Sequence, residues 1–278
     1  MRVLISGGSG YLGQHLVPVA LDRCDAHYTY FQNDPLALPG ASRLDLLDRA
    51  AVLSLADQIR PQAIIHTAGS NRSPNMEAVI EDGTRHIVEA ARLCQARLIH
   101  LSTDVVFDGR QGPYRESDPL NPRHAYGRAK AAAERIVAGH RDHVIIRPSL
   151  IYGLRIMDHS TAWIATGLRA GQEVTLFNDQ WRNPVWVEAL SQACLELIES
   201  TFLGILHVAG RQAMTRAEFG VKMLDWWGID DRASLRIGPS DDRWPRDCRL
   251  DTSLAQRLLA TRLPGLDEVL AAHRPSEV

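Results

Sequence analysis

Tyr126 and Lys130 are the residues from which a chemistry can be read first. They stand four apart in Ala125-Tyr126-Gly127-Arg128-Ala129-Lys130, and that spacing puts two side chains on one face of a helix. There the lysine cation can lower the phenol's pKa from its free value of about 10 and hold the ribose of a nicotinamide cofactor. The tyrosine then serves as general acid for carbonyl reduction, or as general base for the reverse oxidation. A tyrosine and lysine at this spacing are common on protein surfaces, so the pair alone says little. Its weight comes from Ser102-Thr103-Asp104 upstream, at the end of an apolar run. The Thr103 hydroxyl is expected to hydrogen-bond the substrate oxygen that Tyr126 protonates; the competing role for Ser-Thr-Asp is a helix or turn cap.

A second constellation supplies a place for the cofactor. Gly7, Gly10 and Gly13 follow Val3 to Ser6 directly and open a helix-like stretch, with Tyr11 and Leu12 between the last two glycines. Glycine suits a tight turn, close backbone approach to a pyrophosphate and close packing of helix on sheet. The helix N-terminus then offers N–H groups and a positive dipole end to phosphates. After the next β-type run the sequence reads Tyr30-Phe31-Gln32-Asn33. An acid here would accept from the ribose 2′-OH, whereas an arginine would favour a 2′-phosphate. With Gln32 and no carboxylate at the expected distance, NADP(H) is favoured and NAD stays open; Arg43 is either a helper or a solvated surface residue. Asp45 and Leu46 are expected at the adenine edge. Thr67, Ala68 and Gly69 are small residues where a ribose must pass, and Ser102 completes the expected cofactor contacts.

These groups need elements to hold them. Val3 to Ser6, Ala26 to Phe31, Ala63 to His66, Arg97 to Ser102 and His143 to Arg147 read as strands. They alternate with helical stretches at Tyr11 to Leu21, Arg49 to Ile59, Met76 to Cys94 and Tyr126 to Ala138. Such alternation predicts an α/β fold: a doubly wound parallel Rossmann sheet covered on both faces. Residues 1–150 are expected to form the NAD(P)-binding domain. Beyond Pro148 the rhythm loosens into helical stretches (Thr161 to Ala170, Val187 to Ser200, Arg216 to Trp226) and β-type pieces (Val174 to Phe177, Ile205 to Val208). Residues 151–278 are therefore expected to be mainly a smaller α+β substrate lobe that contributes elements back to the first domain. Arg274 to Val278 are expected to fray.

Composition excludes several classes. The 278 residues carry a net charge of -2 and are 45% hydrophobic and 23% charged, so the chain is long enough for a large core and shows no basic nucleic-acid footprint. No apolar stretch approaches the roughly 18 residues of a membrane helix, and the N-terminus lacks the apolar core of a signal peptide. A cytoplasmic location follows by elimination. Cys24, Cys94, Cys194 and Cys248 are too scattered for a zinc site or a disulfide framework, so no metal is expected and buried free thiols are.

The motifs together resemble the extended short-chain dehydrogenase/reductase superfamily and, within it, the dTDP-4-dehydrorhamnose reductases. The resemblance rests on Ser102-Thr103-Asp104-Val105-Val106-Phe107-Asp108-Gly109, Pro113-Tyr114, Glu116, Pro119, Pro122, Tyr126-Gly127, Lys130, Arg147-Pro148 and Tyr152-Gly153. It continues through Asp179-Gln180 and Asn183-Pro184 to Pro245-Arg246-Asp247-Cys248-Arg249-Leu250-Asp251, covering about residues 1 to 260. The resemblance implies NAD(P)H-dependent reduction of a 4-keto nucleotide sugar with Thr103, Tyr126 and Lys130 as the catalytic triad. Asp104, Val106 and Ser149 are then expected on the substrate side, with Arg182 and Arg249 as candidates for its pyrophosphate. Tyr11, His15 and Ile80 depart from that group's glutamine, acidic metal-bridging residue and asparagine, so a magnesium-linked dimer is not implied. A homodimer through two long helices is the expected assembly, and neither nucleic acid nor membrane is an expected partner. Two alternatives share the resemblance: a sugar-nucleotide epimerase that retains NAD, and a non-catalytic NADP-binding regulatory subunit. Dehydration is disfavoured because Val105, not a glutamate, follows Asp104.

Overall fold

The computed structural model describes residues 1–69, 75–241 and 244–275. The middle of the Gly69 to Glu77 stretch and the end of the expected fraying tail lie outside the described residues. Seven strands form one sheet, each pairing parallel to its neighbours. In chain order they begin with β1 (Arg2–Ser6), β2 (Asp25–Tyr30), β3 (Ala41–Arg43), β4 (Ala63–His66), β5 (Arg97–Leu101) and β6 (His143–Arg147). Short strands β7 (Ile151–Tyr152), β8 (Val174–Phe177), β9 (Trp181–Arg182) and β10 (Val185–Trp186) precede the last sheet member, β11 (Gly204–His207). Two more short strands follow, β12 (Met214–Thr215) and β13 (Leu235–Gly238).

The sheet order is β11-β6-β5-β4-β1-β2-β3. From β1 the chain runs outward to β2 and β3, then returns to β4 on the other side. The direction of winding therefore switches between β1 and β4, and an open α/β sheet binds ligands outside the carboxyl ends of its strands at such a point. The doubly wound expectation holds.

Strand alternation explains the two layers. Val3 and Ile5 pack with Ile65, Ile99 and Ile146 against α1 (Tyr11–Leu21) and a later helix, α6 (Val187–Glu199). Leu4, Ile64, Leu98 and Ile145 point the other way, toward α2 (Arg49–Ile59), α3 (Met76–Cys94) and α4 (Ala125–Ala138). Because both faces are covered, central strands β4 and β5 are buried at every residue, including His66 and His100.

The sequence reading placed Ile205 to Val208 among the pieces of the smaller lobe. In the structure β11 pairs parallel with β6, Ile205 opposite Ile145 and Leu206 opposite Ile146. The reason is burial: β6 is apolar from Val144 to Ile146 and would otherwise expose an edge. The remaining short strands pair as β7–β10, β8–β13 and β9–β12, around α5 (His159–Arg169) and α7 (Arg216–Trp226). Asp158 caps α5 by accepting from the backbone N–H of Ser160 and Thr161, and a Thr215/Glu218 capping box starts α7.

Cys194 and Cys248 are buried free thiols as expected, whereas Cys24 and Cys94 are only half-buried because they sit where elements end. No helix among the described residues is long and apolar enough to cross a membrane.

Candidate active site

A cavity of about 660 Å³ opens at the carboxyl ends of β1, β2, β4 and β5. Its floor is the glycine loop. Gly7 has a φ of +84°, and a Cβ there would lie 2.7 Å from the Ala68 backbone nitrogen. The loop thus needs glycine both for its backbone conformation and for the Ala68 backbone that follows β4 beneath it. Gly13 does not line the cavity: a Cβ there would meet the Gly7 and Gly8 carbonyl oxygens at 2.5 Å, so its absent side chain lets the helix seat under the loop. Helix α1 begins at Gly10 with no side-chain cap and no acid in its first turn, which leaves its positive end facing the cavity.

Of the other residues expected at the cofactor, Gly10, Tyr11, Leu12, Gln32, Asp45, Leu46, Thr67, Ala68, Gly69 and Ser102 all line this cavity, with Tyr126 and Lys130. Arg43 lies beside the Tyr30–Gln32 wall and donates from Nε to the Phe31 carbonyl at 3.1 Å. The glycine cradle, uncapped helix end and small ribose-facing residues fit a dinucleotide. Among the described residues no group of three or more His, Cys, Asp or Glu is placed to hold a metal ion.

Lys130 is buried on α4, and its Nζ donates to the Leu101 carbonyl at 2.9 Å. Burial pulls its pKa down to about 8, partly offset by the Glu134 carboxylate one turn further along the helix. Tyr126 departs from expectation. Its phenol is pushed up from the ordinary value of 10, first by burial and then by the Asp104 carboxylate, rather than lowered by Lys130. The lysine's hydrogen bond points to the β5 backbone, and the charge felt by the phenol is Asp104's. The tyrosine is therefore held as the neutral, protonated acid.

Thr103 lies beyond the cavity wall, at the start of the 3-10 turn Asp104–Val106, where its hydroxyl accepts from the Val105 N–H at 3.4 Å. The capping role that the sequence left open is thus present. Asp104 accepts from the Ser149 hydroxyl at 2.7 Å and pairs with the Arg182 guanidinium at 3.4 Å. Two expected substrate residues need correction. The Val106 side chain is fully buried with Phe107, Tyr114 and Leu250 and packs the core instead of facing a ligand. Arg182 is spent internally: besides Asp104, its guanidinium donates to the carbonyls of Trp181, Pro245 and Arg246. Arg249 keeps about a third of its side chain exposed, lies over the Trp181 ring, and pairs with Asp247 through two hydrogen bonds.

The sequence reading missed a buried network behind the wall. Ser102 donates to Glu134, whose carboxylate receives the Arg147 guanidinium at 2.9 and 2.7 Å. Glu134 stands one turn beyond Lys130 and two beyond Tyr126, so the periodicity that singled out the pair also reaches it. His159, on the cavity wall from α5, gave no local signal because only the tertiary fold brings the second half of the chain there.

The RmlD substrate binding domain family matches this chain over residues 1–273. A probable low-salt glycan biosynthesis reductase, Agl14 of Haloferax volcanii, is 30% identical over 98% of this chain and 97% of its own. Methionine adenosyltransferase 2 subunit beta of Xenopus tropicalis is 30% identical over 82% of this chain and 72% of its own. A crystal structure described as a hypothetical dTDP-4-dehydrorhamnose reductase from Sulfolobus tokodaii superposes with a TM-score of 0.83 at 29% identity, covering 96% of this chain and 98% of that one.

Proposed function

The chain belongs to the RmlD substrate binding domain family, and we propose that it is an NADPH-dependent reductase of a 4-keto nucleotide sugar, in line with relatives named dTDP-4-dehydrorhamnose reductase. One observation carries this reading: Tyr126 and Lys130 come together on the wall of a cavity floored by the glycine loop, where a neutral phenol can give its proton to a carbonyl oxygen as a hydride arrives.

When bound, the reduced nicotinamide supplies the hydride. Tyr126 gives its proton to the keto oxygen as that oxygen becomes an alkoxide. Lys130 keeps a positive charge near the ribose, and Thr103, whose hydroxyl caps the turn behind the cavity wall, orients the carbonyl by turning that hydroxyl away from the Val105 N–H. The glycine loop and the α1 N-terminus hold the pyrophosphate. With Gln32 in place of an acid and Arg43 alongside, a 2′-phosphate meets no carboxylate, which favours NADPH over NADH. Since Arg182 is internally committed, Arg249 beside Trp181 is the better candidate for the substrate's diphosphate. Residues 1–150 with β11 act as the cofactor module, and most of residues 151–278 as the substrate lobe. We place the reaction in the cytoplasm and the protein in a homodimer; light scattering of the purified chain checks the latter.

The test is NADPH oxidation against dTDP-linked 4-keto-6-deoxy sugars, with Tyr126→Phe alongside. Turnover should be lost in the variant, by more than about a hundred-fold, while NADPH still binds. Undiminished turnover by Tyr126→Phe would sink the mechanism. The relatives named as a methionine adenosyltransferase subunit favour a second reading, a regulatory partner. NADPH binding with no reduction of any keto sugar, together with a stoichiometric enzyme partner on purification, is its signature.

A further inference from the structure

We propose that His124 is a positioning residue for this reaction: its neutral imidazole fastens the first turn of α4, and so fixes Tyr126 and Lys130, and its protonation undoes that fastening. The proposal rests on the reductase reading for its kinetic meaning, though the cap itself can be measured without turnover.

Helix α4 has no acid in its first turn, and its N-cap is an imidazole: Nδ1 of His124 accepts the Gly127 N–H at 3.1 Å. An imidazole nitrogen accepts only while it carries no proton, so the neutral ring holds its hydrogen on Nε2. The usual caps serine, threonine and asparagine keep their acceptor at any ordinary pH. A histidine cap loses its acceptor when Nδ1 takes a proton. Here the capped N–H belongs to the residue directly after the proton-donating tyrosine.

The surroundings let that loss reach the site. A Cβ on Gly127 would lie 2.4 Å from the Val105 carbonyl oxygen and 2.9 Å from Pro122, so the first turn of α4 is wedged against the turn that Thr103 caps. The His124 ring stacks near Tyr126, with 6.2 Å between centroids and 13° between planes, and also contacts Trp244 at 5.2 Å. Release of the cap would therefore disturb the phenol, the threonine turn and the aromatic wall together.

Charges from each packed element decide when this happens. Burial, Arg128 on α4 and Arg182 on β9 oppose protonation of His124, Asp104 favours it, and the balance lies below the ordinary value of 6.5. The positive end of the α4 dipole adds to the opposition. Tyr126, which stacks near the ring, is the other titratable neighbour among the described residues and is neutral. The cap is thus formed at neutral pH and lost as pH falls below 6.5.

The experiment is the pH profile of kcat and of KM for NADPH in the native chain, His124→Asn and His124→Ala. The native enzyme should show an acid limb below pH 6.5. His124→Ala should lose about five-fold or more in kcat at neutral pH, the factor equivalent to losing a helix cap, with KM for NADPH changed less than kcat. His124→Asn, which caps without titrating in this range, should recover most of that loss and lack the limb. The same acid limb in the native chain and in His124→Asn would overturn the proposal. If no keto sugar is reduced by any form, hydrogen exchange at the Gly127 amide still decides the cap. Protection lost on acidification in the native chain and kept in His124→Asn supports it; protection that ignores pH in both overturns it.

Discussion

Adding one methyl group at Gly13 would place a carbon 2.5 Å from the carbonyl oxygens of Gly7 and Gly8. Backbone cannot yield as a flexible side chain does, so Gly13→Ala must push the loop off the helix. We expect a loss of stability of about 2 kcal/mol and NADPH binding weakened about ten-fold or more. Thermal denaturation and a fluorescence titration check these; wild-type affinity in the variant would mean that the loop is not the phosphate cradle. Lys130 leads to a second expectation. Its ammonium is present below a pKa of about 8 and neutral above it, so reductase activity should decline as pH rises through that value. A rate that climbs steadily to pH 10 would contradict the role given to this lysine. These roles were legible because glycine spacing and a four-residue helical repeat are local facts of the chain. Val106 and Arg182 were not legible in the same way. Whether a valine faces ligand or core, and whether a guanidinium meets phosphate or carbonyls, depends on what the fold sets opposite, here Tyr114 and Leu250 for one and the 245–246 backbone for the other.

At the scale of elements, α4 and β6 are joined by the Glu134–Arg147 pair, both side chains almost fully buried. Arg147 also lies over the Phe107 ring and reaches the Glu116 carbonyl. Removing one partner leaves a buried charge without its counter-ion, so Glu134→Ala should cost about 4 kcal/mol. Replacing both, as in Glu134→Leu with Arg147→Met, should cost less than the single change, because the stranded charge is gone. Urea denaturation of the three proteins checks the order; a double variant less stable than the single one would show that the pair stabilises on its own account. The helices of the first half stood out in the sequence because apolar residues recur at helical spacing beside short β-type runs. The placement of β11 did not, since a four-residue strand carries no mark of the sheet it joins, and only the bare edge of β6 explains where it goes.

For the whole molecule, acid is the weakness. His66, His100 and His207 are buried, and burial depresses all three, to about 3 for His66 and about 4 for His207. The fold holds them neutral, while an unfolded chain would protonate them near 6.5. Their contribution to stability is therefore complete above that pH and lost as pH falls toward their folded values, at roughly 2 kcal/mol each by pH 5 for His66 and His207, with His100 adding in the same direction. Depressed carboxylates such as Asp108 and Asp251 add to the loss only further down, as pH falls below their ordinary value of 3.8, and Asp158, raised by burial, opposes them. The urea midpoint should fall between pH 7 and pH 5; an unchanged midpoint would mean that these imidazoles are not held neutral.

The late arrival of β11 has a consequence for how the molecule is made. Strand β6 ends at Arg147, and its partner is not complete until His207. At roughly 5–20 residues per second, a ribosome needs seconds to cover that interval. Throughout it the nascent polypeptide displays the rim formed by Val144, Ile145 and Ile146, ready to adhere to any other extended segment. A gene cut after codon 150 would make that exposure permanent, and its product should collect in inclusion bodies even though every glycine of the phosphate loop has been translated.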